Sequence, residues 1–271
     1  MRGQSRLVAT ATVALASAYL ATAAAVCRFD PYAFAIVTAA TGASLATLAA
    51  SRGVPRLTAS DLAVWLLLWI PFDLRWTNDL FPGSRGLEDR FAYAWWSIYV
   101  SATAAVGFVG LRGFPGVGLR LRPTVRELCE GMLALLGFGL LAIPAALAAG
   151  FVRFEPDRSL GAIEAAGLFF GIALTIAFPE ELFFRGILQN GLERRLGPVL
   201  GLWAASLAFG LMHWNNASTI RMRLSYVGLA ALAGAFYGLA YRRSAGLWAP
   251  VLTHALVDWI WYFFFGGGRP K

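Results

Sequence analysis

Charge is scarce in this chain. Only 14% of its 271 residues are Asp, Glu, Lys or Arg and 58% are hydrophobic, whereas roughly a quarter of an ordinary globular chain is charged. That leaves too little charge to coat a water-facing surface, so lipid is the expected solvent. Cysteine is equally sparse. Cys27 and Cys129 show no metal-ligand spacing and no disulfide framework, and they read as small apolar fillers. Lysine occurs only at Lys271, and the net charge of +8 comes from arginines scattered through the loops rather than massed on one face. A nucleic-acid partner is therefore not expected. The arginines at 112, 120, 122 and 126 are instead expected to attract anionic lipid head groups. No internal repeat and no low-complexity tract appears. Histidine is limited to His213 and His254.

Between the islands of charge lie apolar runs of roughly twenty residues, the length an α-helix needs to cross a hydrocarbon layer of about 30 Å. Spans are predicted near 7–26, 32–51, 60–72, 91–111, 128–149, 159–179, 198–213, 224–241 and 245–265, the third short enough to be re-entrant. The fold class is thus all-α, a polytopic bundle of about eight or nine membrane helices. The first run follows Arg2 and Arg6 and is too long for a signal-peptide core, so it is expected to stay as a span. Loop arginines divide almost evenly between the two sides and leave orientation open. The stretch from Asp73 to Arg90 reads as a water-exposed connection. Trp95, Trp96, Tyr99, Trp259, Trp261 and Tyr262 read as interfacial belts.

The Gly-, Pro- and Arg-rich segment 112–123 separates two unlike halves. Before it the spans hold almost no ionisable group apart from Asp61. After it come Glu164, Glu180, Glu181, His213, His254 and Asp258 at membrane depth, where ionisable side chains are costly and usually functional. Glu127, Glu130 and Glu164 read as acids at helix starts or interfaces. Pro179 disfavours continuation of the preceding helix and suits the first turn of a new one, which sets Glu180 and Glu181 near a helix start. Glu181 and Arg185, four residues apart, are expected to pair on one face, leaving Glu180 pointing elsewhere. Phe209 lies one turn before His213, and Asp258 one turn after His254, within reach to orient that ring.

One Glu, two His and an Asp gathered from three helices can activate water for attack on an amide carbonyl and hold the resulting oxyanion. The same side chains can ligate a divalent metal such as zinc, although no His-Glu-x-x-His run is present, so the metal stays open. Two rivals use the same residues otherwise: a membrane scaffold with the polar groups as interhelical glue, and a transporter with them as a proton relay, for which no repeated half is visible.

Glu180-Glu181-x-x-x-Arg185, Phe209-x-x-x-His213 and His254-x-x-x-Asp258, in that order, resemble the three motifs of the CAAX-protease and bacteriocin-processing family of intramembrane proteases, also called the abortive-infection family, which includes the type II CAAX prenyl endopeptidases. The flanking residues 181–189 and 247–255 are similar to bacterial members. The resemblance covers roughly residues 160–265 and implies a protease core over 127–271, with 1–126 as accessory helices. It implies an integral protein of the bacterial inner membrane that cleaves a peptide or membrane-protein substrate at a site inside the bundle. By the same resemblance Glu180 activates water with help from His213, Glu181 and Arg185 support the first motif, and His254 with Asp258 faces the oxyanion. Asp at 258 departs from the Asn of the eukaryotic enzymes. The metal question remains, since members have been described as metalloproteases, and metal-free catalysis is the preferred expectation.

Overall fold

In lipid a backbone must satisfy its own hydrogen bonds, which favours helices, and among the described residues helices are the only regular structure. The computed structural model describes residues 2–82, 89–157 and 159–267. The 83–88 part of the expected water-exposed connection, with Arg85 and Glu88, lies outside them, as does Lys271.

Helices α1 (Arg2–Ala25), α2 (Pro31–Ala50), α3 (Ala59–Asp73) and α4 (Asp89–Ala104, extended in π-helical form over Ala105–Leu111) come first. They are followed by α5 (Val125–Ala148), α6 (Ala162–Leu196), α7 (Pro198–Met212), α8 (Ile220–Ser244) and α9 (Trp248–Phe265). Six of these are long and apolar enough to cross a membrane: α1, α2, α4, α5, α6 and α8. The other three expected spans are shorter or more polar. Helices α3 and α7 have 15 residues each, about 22 Å of rise, and α9 has 18 residues that include His254 and Asp258.

The chain divides into two units, Met1–Pro115 and Gly116–Lys271, at a point within the Gly- and Pro-rich stretch. In the first unit Asp61 closes a capping box with Thr58 and also takes Arg112, whose Nε and Nη2 donate to its two oxygens at 3.0 and 3.1 Å. Both side chains are fully buried. Arg112 is therefore unavailable to lipid head groups, contrary to expectation, because a buried acid at a helix start required a cation. Trp96 and Tyr99 are also buried, and Trp95 stacks on Tyr99 and donates to Thr22 at 2.7 Å. These aromatics form packing rather than an interfacial belt. Cys27 is exposed instead of filling a gap, and so is Cys129 in the second unit.

In the second unit α8 packs against α7 and α5, and α9 against α5. Small residues permit close approach. A Cβ at Gly131 would meet the Ala249 carbonyl oxygen at 2.9 Å, and Thr253 Oγ1 donates to the Gly131 carbonyl at 2.9 Å. Glu127 is more than a helix-start acid: it completes a capping box with Thr124, is fully buried, and accepts the Trp248 N–H at 3.3 Å. It thereby ties the start of α9 to the start of α5. Arg120 lies 3.8 Å from that same carboxylate and donates to the Ala245 carbonyl, so it too is engaged with protein.

Candidate active site

Helix α6 does not restart at Pro179. It continues through the proline with π-helical stretches on either side, Ala173–Ala177 and Leu182–Gln189. Proline lacks the N–H that an unbroken α ladder would use, and local π geometry, frequent at functional sites, accommodates that gap. Glu180 and Glu181 consequently lie in mid-helix rather than at a helix start. The Arg185 Nε donates to Glu181 Oε2 at 2.8 Å with both side chains fully buried, as the four-residue spacing predicts. The Arg185 guanidinium also rests 4.7 Å from the ring centre of Phe209 and 5.8 Å from that of Tyr237.

The other Glu181 oxygen organises His254. Because Glu181 is paired with Arg185 and accepts, His254 Nδ1–H is the donor of the 2.8 Å bond to Oε1. That bond aims His254 Nε2 at two further carboxylates, Asp258 Oδ2 at 3.5 Å and Glu180 Oε2 at 3.8 Å. Tyr237 stacks on the imidazole with centroids 4.9 Å apart and planes at 20°, while Phe209 meets it edge-on at 5.8 Å. Thr253 and Glu127, which fasten α9 to α5, hold the backbone from which this ring projects.

His213 caps the end of α7. Its Nδ1 is 2.8 Å from the Phe209 carbonyl, which only accepts, so Nδ1 carries a proton and Nε2 is the nitrogen left for other partners. Its ring contacts Phe209 at 4.9 Å and Tyr226 at 5.1 Å. His213, His254 and Asp258 share a cavity of about 560 Å³ between α5, α7, α8 and α9. Its wall is otherwise almost wholly apolar and includes Trp261, which the sequence places in an interfacial belt. The first-motif and third-motif residues thus meet around His254, whereas His213 joins through the cavity and through Phe209.

Two aromatic residues of this site, Tyr226 and Tyr237, were not anticipated. The signal is present in the sequence: Tyr226, Ala230, Ala233 and Tyr237 recur at helical spacing, so α8 turns one face with two tyrosines and two small residues toward the cavity. Among the described residues no three His, Cys, Asp or Glu side chains are grouped so as to hold a metal ion. Glu181 commits both oxygens to Arg185 and His254, and His213 commits Nδ1 to a carbonyl. Glu180, His213, His254 and Asp258, the expected ligand set, are thus not grouped around one metal position among the described residues.

Residues 162–260 match the family described as type II CAAX prenyl endopeptidase Rce1-like. Uncharacterized protein YpbD of Bacillus subtilis (strain 168) is 32% identical over 87 residues, which is 32% of this chain and 40% of that protein. The chain therefore spans two fifths of the length of that curated relative. No solved structure matches. The stretch from residue 162 to residue 260, which carries Glu180, Glu181, Arg185, Phe209, His213, His254 and Asp258, is a domain of the type II CAAX prenyl endopeptidase Rce1-like family.

Proposed function

We propose that this chain is an intramembrane endopeptidase that hydrolyses a peptide bond in a membrane-associated or lipidated peptide or protein. The observation that carries this is the setting of His254. One nitrogen is held by Glu181 at 2.8 Å while the other faces Glu180 and Asp258, at the wall of an apolar cavity that also contains His213. Membership of the Rce1-like family supports peptidase chemistry for the same residues. In this assignment α7 and α9 lie in the membrane of a bacterial cell together with the longer helices, and the site is inside the bundle.

Glu180 and His213 activate water. The water oxygen forms a bond to the amide carbon as one of these groups takes its proton, and the carbonyl π pair moves onto oxygen. His254, kept in place by Glu181, faces that oxyanion with Asp258 beside it. Collapse of the intermediate breaks the C–N bond, and the stored proton passes to the leaving amine, so water and amide become carboxylic acid and amine, which then exchange a proton to leave carboxylate and ammonium. The cavity keeps water and charge away from lipid, and a substrate segment unwinds to reach it.

Comparative proteomics of membranes from cells carrying wild-type protein or Glu180→Ala tests this directly. Peptide termini that disappear in the variant identify the substrate and its cleavage position. In purified protein Glu180→Ala and His213→Ala each abolish cleavage of that substrate, and the double variant is little worse than either single one. Cleavage by either single variant at the wild-type rate overturns the assignment, and a cellular phenotype fully rescued by Glu180→Ala favours a scaffold.

A further inference from the structure

Amide hydrolysis at this site builds negative charge on an oxygen in the company of three carboxylates, those of Glu180, Glu181 and Asp258. An ionised carboxylate only accepts hydrogen bonds. Asp258 in that form supplies no donor, and its charge opposes the oxyanion. A neutral O–H group carries no such penalty, and the cavity holds one beside His254.

That group belongs to Tyr237. Its ring is held on three sides: stacked on His254 at 4.9 Å and 20°, edge-on to Phe209 at 6.0 Å, and under the Arg185 guanidinium at 5.8 Å. The residue is only 1% exposed, yet it lines the cavity together with His213, His254 and Asp258. Three tyrosines of α8 can be compared. The Tyr241 hydroxyl donates to the Gly116 carbonyl, and the Tyr226 hydroxyl has the Asn216 side chain beside it. The Tyr237 hydroxyl has no hydrogen-bond partner among the described residues. A tyrosine buried in an apolar bundle normally pairs its hydroxyl, and phenylalanine would serve for packing alone. A donor kept unpaired at the reacting cavity is preorganised for charge that appears only in the transition state.

We propose that the Tyr237 hydroxyl is a catalytic hydrogen-bond donor to the oxyanion, sharing that work with His254. The phenol keeps its proton throughout. It donates a hydrogen bond as the carbonyl π pair moves to oxygen, and the bond weakens when the carbonyl re-forms. This rests on the peptidase assignment for the same site.

The test uses full-length protein in detergent and a quenched fluorescent peptide spanning the cleavage position found by the proteomic comparison. Tyr237→Phe keeps the ring and its stack on His254 and removes only the hydroxyl. The expected result is a fall in kcat on the order of 10²–10³-fold, the usual loss for one oxyanion donor. KM stays nearly unchanged, because the lost interaction exists only in the transition state. A kcat close to wild type, or a loss confined to KM, overturns the proposal. Should Tyr237→Phe fail to fold, fluorotyrosines at position 237 give the same decision: kcat that tracks phenol acidity supports it and a flat series overturns it. Glu180→Ala separates the two levels. If that variant still cleaves, the peptidase assignment of the site falls; if it is inactive while Tyr237→Phe is fully active, only the role of Tyr237 falls.

Discussion

Replacing Glu181 with alanine removes the carboxylate from a guanidinium that has nowhere else to turn. The Arg185 Nη1 and Nη2 atoms are buried without hydrogen-bond partners among the described residues, and the Nε bond to Glu181 is the one that remains. Breaking a buried ion pair from one side costs about 3–5 kcal/mol. The faces of Phe209 and Tyr237 stay in place beneath the cation and hold the expected loss near the lower end, about 3 kcal/mol. Converting both partners to apolar residues, Glu181→Leu with Arg185→Met, removes the stranded charge and recovers about 1–2 kcal/mol of that loss. The remainder reflects His254 Nδ1, left without its acceptor. Stability and activity then part company, since neither variant cleaves substrate once His254 is no longer aimed. Thermal unfolding in detergent reports the first quantity and the quenched-peptide assay the second. A double variant as unstable as Glu181→Ala refutes the ion-pair account, and wild-type cleavage by either refutes the orienting role of Glu181.

Three further outcomes are expected. Glu127→Ala removes a capping-box partner and the acceptor for the Trp248 N–H, and lowers unfolding free energy by about 1–2 kcal/mol in detergent, whereas Glu127→Gln retains more than half of it. At Gly139, on the cavity wall, an added Cβ meets only Ile143 Cδ1 at 3.8 Å, so Gly139→Phe fills the cavity without unfolding the protein. It raises KM on the order of tenfold, the equivalent of ~1.4 kcal/mol of apolar contact, with Tm unchanged. In the first unit Asp61→Ala leaves Arg112 buried without a counterion and destabilises by about 3–5 kcal/mol, measured in the same unfolding experiment.

The helices and their approximate limits were legible because the lipid requirement writes itself as runs of twenty apolar residues. The pairings legible beforehand were those between residues one turn apart, Glu181 with Arg185 and His254 with Asp258, since helical geometry alone decides them. What escaped the sequence were particular bonds that depend on how separate helices pack. Glu181 bonds His254 across 73 residues, Asp61 bonds Arg112 across 51, and Trp248 bonds Glu127 across 121. The course of α6 through Pro179 escaped for a different reason. Proline sets a local preference against helix, and here packing on its C-terminal side, with every residue from Leu182 to Gln189 buried, overrides it.

Two neighbouring glutamates with the same intrinsic chemistry are given unlike tasks by their surroundings. Glu181 is fully buried with one oxygen on Arg185 and the other on His254, both in short bonds. That fixes it as an orienting group. Glu180 retains partial exposure and stands 3.8 Å from His254 Nε2, close enough to feel the imidazole and too far to be consumed by it. The arrangement also explains how a membrane interior tolerates so many ionisable side chains. Each one is within ion-pair or hydrogen-bond range of another, Arg185 with Glu181 and His254 with Glu181, Asp258 and Glu180, so every member of the cluster has a polar partner.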